Sequence, residues 1–440
     1  MDELERRREE RRRIRKERDA QRQEKNKKLT NRLMVAMIAV LAAAAVILLI
    51  SLNGGEDTQL QTEPTQTLLQ TQPSADPNAD TTPSLQPTQP KNSVVTITAL
   101  GDVNFTEKTV AAGGPGYDYT PVFTDVLPVL ADSDLTVMNM EGILCGAPYG
   151  TEDRSAPQTL VTALAGAGVD LVQTANSYTI KNGVQGLSMT LSSLQAAGLE
   201  GVGAYARDED YEETGGFTIR EVNGIRIAFV AFTKGMDGMA LPADSGRVVN
   251  LLYKDYSSTY KQIDRDGIAD VLSRVADAEP DVVIALVHWG SEYNDTRSES
   301  QNTIRDILLQ NGVDAIIGTH PHYVQQIEHD KAAGTVVAYS LGDFFSDTER
   351  SGTEYSVALH LEFTKDSITG QTVLSNCSYT PLFTAKGEAG TLRVLRLDSA
   401  IAAYEQEYIG RVDAETYADL LYARDRILAR VAPTVTPSKD

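Results

Sequence analysis

Apolar runs of strand length alternate with amphipathic stretches of helical spacing from residue 92 to about residue 397. The runs read as β-strands and the stretches between them as α-helices. Asn223-Gly224, between two of the runs, favours a type I′ turn and therefore a β-hairpin. Strands separated by helices predict an α/β fold, to which the hairpin and the later strands add antiparallel pairing. The predicted strands lie at 94–100, 135–139, 169–174, 217–222, 225–232, 281–287, 315–317, 336–341 and 355–363, and the predicted helices at 160–167, 187–197, 268–276, 303–310, 401–408 and 414–431.

Polar side chains follow the carboxyl ends of several of these predicted strands. Because such ends converge on the ligand crevice of an open α/β sheet, we expect the side chains to line one site. Carboxylate, amide and imidazole groups together suit a borderline divalent metal such as Mn, Fe or Zn. Asn176, as an orienting donor, and His288 are also the candidate catalytic residues. The predicted metal ligands are Asp102, Glu141, Asn176, His288, His320 and His322.

Several of these residues, taken alone, have a plainer structural explanation. Asp102 follows a glycine and is typical of turn caps, Asn176 is typical of helix N-caps, and His288 alone is consistent with a hydrogen-bonded core residue. The six together favour a shared site, since three of the five histidines in the chain lie at strand ends. The other two, His329 and His360, lie in a charged loop and in the middle of a strand, outside the predicted site.

The N-terminal part of the chain contains an uncharged apolar run at residues 33–52. About 20 helical residues cross the roughly 30 Å core of a bilayer, so the run predicts one transmembrane helix. A cleaved signal peptide is the alternative, although the run is longer than the usual apolar core of one. Residues 1–32 carry 14 Lys and Arg against 8 Asp and Glu, a net charge of +6, whereas the remainder carries −27. Basic flanks stay in the cytoplasm, which predicts a single-pass cell-membrane protein with its main domain outside.

Three further features bear on partners and on redox state. The basic segment 1–32 suggests nucleic-acid binding, but membrane topology accounts for its charge, and we predict no nucleic-acid partner. Residues 53–91 are rich in Thr, Gln and Pro, a composition typical of a disordered linker. Cys145 and Cys377 would lie in an oxidising compartment, where a disulfide and two unpaired buried thiols are about equally consistent with the sequence.

Seven short segments carry motifs whose order is informative. They are Ala99-Leu-Gly-Asp-Val, Met138-Asn-Met-Glu-Gly, Ala175-Asn176, Gly201-Val-Gly-Ala, His288-Trp-Gly-Ser-Glu-Tyr, Ile317-Gly-Thr-His-Pro-His and Tyr339-Ser-Leu-Gly-Asp-Phe. Together they resemble the CapA family of capsule and poly-γ-glutamate biosynthesis proteins over about residues 93–347. The resemblance implies a metallophosphoesterase-like four-layer α/β sandwich, which we assign to residues 92–397. Helical spacing after Leu397 predicts a C-terminal helical segment and tail at 398–440, which pack on the domain or trail from it. It also makes the six strand-end residues the counterparts of the family's metal site.

Four positions differ from the pattern that the resemblance implies. Tyr178 stands where the family has a histidine, and Lys181 stands where it has an aspartate. A phenol with a pKa near ~10 is a poor metal ligand, and an ammonium repels a nearby cation although it can bind an anion. Asn104 stands where the broader phosphoesterases place a ligand histidine, and Asp343 where the family has an asparagine. The site is therefore predicted to be partly degenerate, and the sequence leaves its enzymatic activity undecided.

Three functions fit these observations. The first is a membrane-anchored, CapA-like extracytoplasmic protein that acts with envelope-polymer synthesis or export proteins on an anionic polymer such as poly-γ-glutamate. The second is a metal-dependent hydrolase of phosphoester or amide bonds, and the third is a pseudoenzyme binding module that retains the cleft. Because the exterior part is strongly acidic, an anionic polymer needs a local basic or metal-lined cleft, for which Arg154 and Lys181 are candidates.

Overall fold

The computed structural model describes residues 91–387, 390–408, 410, 412–433 and 435–438. From Asn92 onward the chain forms one compact unit. The predicted basic segment at 1–32, the predicted transmembrane helix at 33–52 and the predicted linker, apart from Lys91, lie outside the described residues. Within the described part of the chain, no helix is both long enough and apolar enough to span a bilayer.

The strands and helices alternate as the sequence predicts, with several additional short elements. The strands are β1 (Ser93–Asn104), β2 (Leu135–Glu141), β3 (Leu171–Gln173), β4 (Glu200–Val202), β5 (Thr218–Val222), β6 (Ile225–Thr233), β7 (Val282–His288), β8 (Ala315–Thr319), β9 (Ile327–Asp330), β10 (Thr335–Ala338), β11 (Asp343–Phe345), β12 (Tyr355–Lys365), β13 (Thr372–Lys386), β14 (Leu392–Arg396) and β15 (Thr436–Pro437). The α-helices are α1 (Glu107–Ala111), α2 (Thr120–Phe123), α3 (Leu127–Ala131), α4 (Gln158–Ala167), α5 (Gly183–Ala196), α6 (Asp208–Thr214), α7 (Arg265–Asp277), α8 (Glu299–Gln310), α9 (Leu397–Glu405) and α10 (Ala414–Leu428).

Local sequence signals set the ends of several helices. Ser298 and Gln301 form a capping box at the start of α8, in which each side chain bonds the other's backbone N–H. Asp264 caps α7 by accepting from the backbone N–H of Gly267. Gly168 ends α4 in the left-handed conformation at φ 111°, which a glycine adopts without the steric penalty of a Cβ.

Two sheets form the centre of the molecule. The main path of the first runs in the order β14-β13-β12-β1-β2-β3-β4, with β11 added beside β1 and β15 beside β13. The second runs β5-β6-β7-β8-β10-β9. Strands β1 to β4 are parallel to one another, as are β6, β7 and β8, so their carboxyl ends lie at the same edge of each sheet. The predicted hairpin is present as β5 and β6, joined at Asn223 (φ 53°) and Gly224 (φ 75°).

Three apolar clusters hold these layers together. The inner faces of the two sheets pack on each other, for example through Val137 of β2 and Phe229 of β6. The outer face of the first sheet packs under helices α1 to α5. The outer face of the second packs under α7 and α8, where Leu272 and Ile304 are buried. The four-layer α/β sandwich predicted from the sequence is therefore the observed arrangement of layers.

The C-terminal helices and the cysteines belong to the same compact unit. Helices α9 and α10 pack against β13, and Ile401 and Ile427 join the core between the sheets. Cys145 and Cys377 are both free, so of the two alternatives left by the sequence the structure has unpaired thiols. Burial raises the pKa of the Cys377 thiol to about 12, which makes it an unreactive core residue.

Candidate metal centre

Strand register brings the predicted site residues to one edge of the sandwich. In the first sheet Asp102 lies opposite Asn139 on β2 and opposite Asp343 on β11. In the second sheet His288 ends β7 beside the end of β8, and His320 follows β8 directly. The two sheets meet where the backbone N–H of His320 donates to Asp102 Oδ2 over 3.1 Å. The site therefore spans the gap between the carboxyl ends of both sheets.

One amide links the carboxylates of the first sheet. Asn139 Nδ2 donates to Asp102 Oδ1 over 2.6 Å and to Glu141 Oε1 over 2.8 Å. Asn176 supports it from β3's side, because its Nδ2 donates to the backbone oxygen of Met140 over 2.6 Å and to Asn139 Oδ1 over 3.2 Å. In this arrangement Asn176 positions the amide that holds the two carboxylates together.

The three imidazoles form the other wall of the site. His288 Nε2 lies 2.5 Å from Glu141 Oε1, and its Nδ1 lies 3.4 Å from the hydroxyl of Thr233. The ring centres of His288 and His320 are 4.3 Å apart, and those of His320 and His322 are 6.1 Å apart. All six residues singled out in the sequence thus lie in one connected cluster.

The backbone of the last two histidines is strained. His320 has φ 90° and His322 has φ 59°, in the left-handed region that side-chain-bearing residues rarely adopt. Such conformations cost on the order of 1–3 kcal/mol each and concentrate at functional sites, where the surrounding structure imposes them. Here the two strained residues bring the His320 backbone N–H and the His322 ring to Asp102.

His322 forms an ion pair inside the cluster. Its Nδ1 lies 2.8 Å from Asp343 Oδ1 and 3.6 Å from Asp102 Oδ2. Burial alone would lower the pKa of His322, but these carboxylates, Asp343 first, raise it to about 10. A carboxylate on Nδ1 also fixes the ring and leaves Nε2 as the atom available for a ligand, as in carboxylate–histidine–metal arrangements.

The pKa values of the Asp102 and Glu141 carboxyl groups are shifted in opposite directions. Burial, followed by repulsion from Glu141, raises the pKa of Asp102 well above its ordinary value. Burial would also raise the pKa of Glu141, but the neighbouring His288 lowers it overall. Carboxylates crowded and buried in this way are stabilised by added positive charge, which a divalent cation provides.

The donor set fits a divalent metal. Three groups have ligand atoms within 4.8 Å of one another, namely Glu141, His288 and His320; Glu292, His320 and His322; and Asp102, His322 and Asp343. Within the described residues, His320 Nδ1 is buried without a hydrogen-bond partner, as an unused ligand atom would be. Mixed imidazole and carboxylate donors suit Mn, Fe or Zn.

Sequence reasoning missed Lys234, which lies inside the site. Its ammonium donates to the backbone oxygen of Gly290 over 2.8 Å and lies 3.3 Å from His320 Nε2. It also lies 4.8 Å from the centre of the Tyr260 ring. Burial lowers the pKa of Lys234. Lys234 follows β6, and only the parallel pairing of β6 with β7 reveals that it adjoins the histidines.

Two of the four positions that depart from the family pattern, Tyr178 and Lys181, are only half-buried, whereas Asp343 lies inside the cluster and Asn104 is buried beside it. Tyr178 is half-buried, and its backbone N–H donates to Asn176 Oδ1 over 2.9 Å. Burial and the Glu141 carboxylate raise the pKa of the Tyr178 phenol, so it stays protonated at neutral pH. The guanidinium of Arg154 lies 5.4 Å from the Tyr178 ring centre. Within the described part of the chain, no hydrogen bond or ion pair joins the Lys181 ammonium to the cluster.

A family model described as bacterial capsule synthesis protein PGA_cap matches residues 96–348. The chain belongs to this family. It is 27% identical to the capsule biosynthesis protein CapA of Bacillus anthracis over 58% of this chain and 61% of that protein. It is 25% identical to the PGA biosynthesis protein CapA of Bacillus subtilis over 62% of this chain and 69% of that protein. The match to the B. anthracis protein thus spans less than two thirds of that relative's length.

Two solved structures show a more distant likeness. A phosphatase of Mycoplasma pneumoniae aligns with a TM-score of 0.41 at 12% identity, over 67% of this chain and 95% of its own. The calcineurin-like phosphoesterase YfkN of Bacillus subtilis aligns with a TM-score of 0.38 at 13% identity, over 76% of this chain and 100% of its own. A likeness at these TM-scores supports no conclusion about activity.

Proposed function

We propose that the protein takes part in the synthesis or export of an anionic envelope polymer such as poly-γ-glutamate. The observation that carries the proposal is the cluster of three imidazoles and three buried carboxylates in a chain of the capsule synthesis family. The relatives named above are called capsule and PGA biosynthesis proteins, which supports the same role. The strand-end cluster is then the place where the polymer or its precursor is handled.

The residues of the cluster have distinct roles in this proposal. A divalent cation held there would supply Lewis-acid polarisation of a phosphoryl or acyl oxygen. Asp102, Glu141, His288, His320 and His322 are the groups that would hold it. Asn139 fixes the distance between two of the carboxylates, while Asp343 orients His322 by its contact with Nδ1. Asn176 keeps Asn139 in place.

The second candidate is a metal-dependent hydrolase of phosphoester or amide bonds. The buried His320 Nδ1, which has no hydrogen-bond partner among the described residues, favours it, because a site that only recognises a polymer has no need of such an atom. The remaining alternative, a binding module without turnover, is favoured by Tyr178 at the position of the family's histidine. Incubation of the purified full chain with oligo-γ-glutamate and with a phosphodiester, in the presence of Mn, Fe or Zn, separates these two. Release of glutamate or phosphate that is absent from His288→Ala supports the hydrolase, whereas binding without release supports the module.

We also propose that residues 33–52 anchor the protein in the cell membrane, with residues 1–32 in the cytoplasm and the folded domain outside. The apolar run and the charge asymmetry around it support this location. Protease added to intact cells is expected to degrade the folded domain. In membranes prepared from untreated cells, the domain is expected to stay in the membrane fraction after washing. Protection of the domain until the cells are lysed would contradict the orientation, and its appearance in the medium would indicate a cleaved signal peptide.

Deletion in the native organism tests the polymer role. We expect loss of a surface polyanion, measured by amino-acid analysis of purified envelope polymer. The wild-type gene is expected to restore the polymer, whereas a His288→Ala, His320→Ala double variant that accumulates and folds normally is not. An unchanged envelope polymer in the deletion strain would contradict the proposal.

A further inference from the structure

We infer that Arg154 and Arg350 form an oxyanion-binding clamp at the mouth of the metal centre. The inference rests on the proposed function and deepens it, because it identifies the residues that recognise the anionic groups of the ligand. The Arg350 guanidinium lies over the ring of Tyr293, which stacks on His322 with 5.3 Å between centres, and the Arg154 guanidinium lies over the ring of Tyr178, two residues after Asn176. Each arginine is therefore separated from a residue of the cluster by one aromatic side chain.

The main chain fixes Arg154 close to the cluster. Its carbonyl accepts from the backbone N–H of Ile143 over 2.9 Å, two residues after Glu141. Gly142 allows this close approach, because a Cβ there would lie 2.6 Å from the Arg154 oxygen. The loop that carries the guanidinium is thus tied to the end of β2, and Tyr178 supports the guanidinium by a cation–π contact.

The main chain also fixes Arg350 close to the cluster. Its carbonyl accepts from the backbone N–H of Thr353 over 3.1 Å and from the hydroxyl of the same residue over 2.8 Å. The hydroxyl of Tyr323, the residue after His322, donates to the backbone oxygen of Ser351 over 2.9 Å. The guanidinium lies 3.8 Å from the centre of the Tyr293 ring. A turn tied to the histidine segment therefore presents this cation.

The two cations are conspicuous in an acidic protein. The chain carries a formal net charge of −21, and several arginines of the described residues, such as Arg207, Arg247 and Arg393, have carboxylate partners. Within the described part of the chain, by contrast, neither Arg154 nor Arg350 takes part in a salt bridge. Stacking on a ring leaves the N–H groups at the edge of a guanidinium free to bind an oxyanion in bidentate fashion. Carboxylate and phosphate share this chemistry.

Binding of defined anions by the full chain tests the clamp. The probe is a fluorescent γ-linked glutamate oligomer, followed by anisotropy at low salt, and direct binding of inorganic phosphate is measured by calorimetry in a second arm. We expect Arg154→Gln and Arg350→Gln each to weaken binding about tenfold and the double variant by about a hundredfold. Arg154→Lys and Arg350→Lys should recover only part of the affinity, because an ammonium lacks the planar fork.

A matched control separates the clamp from general charge. Arg207→Gln removes the same charge from a surface arginine that is paired with Asp210, and its binding should stay within about twofold of wild type. Thermal unfolding of each variant checks that the fold is retained. Wild-type affinity in the double variant, or an equal loss in Arg207→Gln, would overturn the clamp. If phosphate binds through both arginines while the oligomer does not bind at all, the clamp stands and the polymer role in the proposed function fails.

Discussion

Asn139 determines how the carboxylates of the centre can share a cation. A single amide nitrogen bonds both Asp102 and Glu141, so the two carboxylates are held at a fixed separation before any ligand arrives. The sequence hides this role, because Asn139 lies between Met138 and Met140 in what reads as an apolar strand. Only the pairing of β2 beside β1 places the amide between the carboxylates.

Lys234 provides a prediction at the scale of one residue. Its ammonium lies 3.3 Å from His320 Nε2 and repels a cation bound nearby. At an effective dielectric constant of about 20, two unit charges 4 Å apart interact by about 4 kcal/mol. We therefore expect Lys234→Met, which keeps the length of the side chain, to raise the affinity for Mn or Zn at least about tenfold.

Competition with a fluorescent chelator measures that affinity. Lys254→Met is the control, since Lys254 is an exposed lysine whose ammonium lies 3.3 Å from the Asp266 carboxylate, and it should leave the affinity unchanged. Weaker metal binding in Lys234→Met would show that the ammonium supports the centre instead of opposing the cation.

The residues of the centre were more predictable from sequence than their contacts. Six residues stand out because each follows an apolar run that forms a buried strand. They are Asp102, Glu141, Asn176, His288, His320 and His322. Their partners do not stand out, because those contacts join the two sheets. The bond from the His320 backbone to Asp102 connects residues 218 positions apart, and periodicity carries no information about such a pair.

At the scale of elements, a close approach between strands positions the first carboxylate. The backbone N–H of Asp102 donates to the Gly342 oxygen over 3.0 Å, just before β11. A Cβ on Gly101 would lie 1.8 Å from that oxygen and 2.8 Å from its carbonyl carbon. Only glycine therefore allows β1 and β11 to present Asp102 and Asp343 side by side.

Gly101→Ala is accordingly expected to destabilise the protein by about 3 kcal/mol and to reduce metal binding, because backbone atoms must move apart. Urea unfolding measures the first effect and metal titration the second. The control is Gly166→Ala in α4, where an added Cβ meets nothing within 4 Å and should stabilise the helix by about 0.5–1 kcal/mol. Equal stabilities of the two variants would contradict this account of the strand crossing.

His360 predicts a pH dependence that belongs to the first sheet. Its Nδ1 and Nε2 lie 2.9 Å from the hydroxyls of Thr98 and Thr380 on the flanking strands β1 and β13. Burial lowers its pKa to about 4, although Asp132 acts in the opposite direction. At pH values between this pKa and the unfolded pKa near ~6.5, the unfolded chain binds more protons at His360 than the folded protein does. The contribution of His360 to the free energy of unfolding is therefore fully present above about pH 6.5, and it falls by about 3 kcal/mol as the pH drops to 4.

Urea unfolding at pH 7.0 and at pH 4.5 measures this loss. His360→Gln has no titrating ring, so the difference between its stabilities at the two pH values should be smaller than that of wild type by about 2–3 kcal/mol. The comparison cancels the protonation of carboxylates, which both proteins share. Equal pH dependence in the two proteins would contradict a neutral, half-buried His360.

Strand β13 shows why some elements could not be predicted. Its sequence includes Asn376, Ser378 and Pro381, which interrupt any apolar alternation. Pairing with β12 along nearly its whole length, and with β14 and β15 on its other side, holds it extended despite that sequence. Elements whose own pattern is apolar, such as β6 and β7, were predicted to within a few residues.

At the scale of the whole molecule, the facing sheets create the centre. Parallel strands of the first sheet supply the carboxylates and the amides, whereas the second supplies the imidazoles and Lys234. Two of the three candidate donor groups draw on both sheets, namely Glu141 with His288 and His320, and Asp102 and Asp343 with His322. Anything that separates the sheets should therefore abolish metal binding before it abolishes secondary structure.

The family pattern and the layer arrangement could be predicted from sequence because both depend on local motifs and on their order. The contacts between particular residues of the two sheets could not be predicted, since they depend on how the inner faces pack. Placement of the segment at 33–52 remains a proposal supported by apolar length and by charge.

Metal content of the purified full-length protein tests the central claim most directly. We expect stoichiometric Mn, Fe or Zn by elemental analysis and a rise in Tm on adding the same ion. A ligand present at about 100 times its Kd stabilises a protein by about 2.7 kcal/mol. The Asp102→Asn, His320→Ala double variant should lose both the metal and the rise in Tm while keeping its circular dichroism spectrum. Absence of stoichiometric metal, together with an unchanged Tm in the presence of each of the three ions, would contradict a metal centre between the sheets.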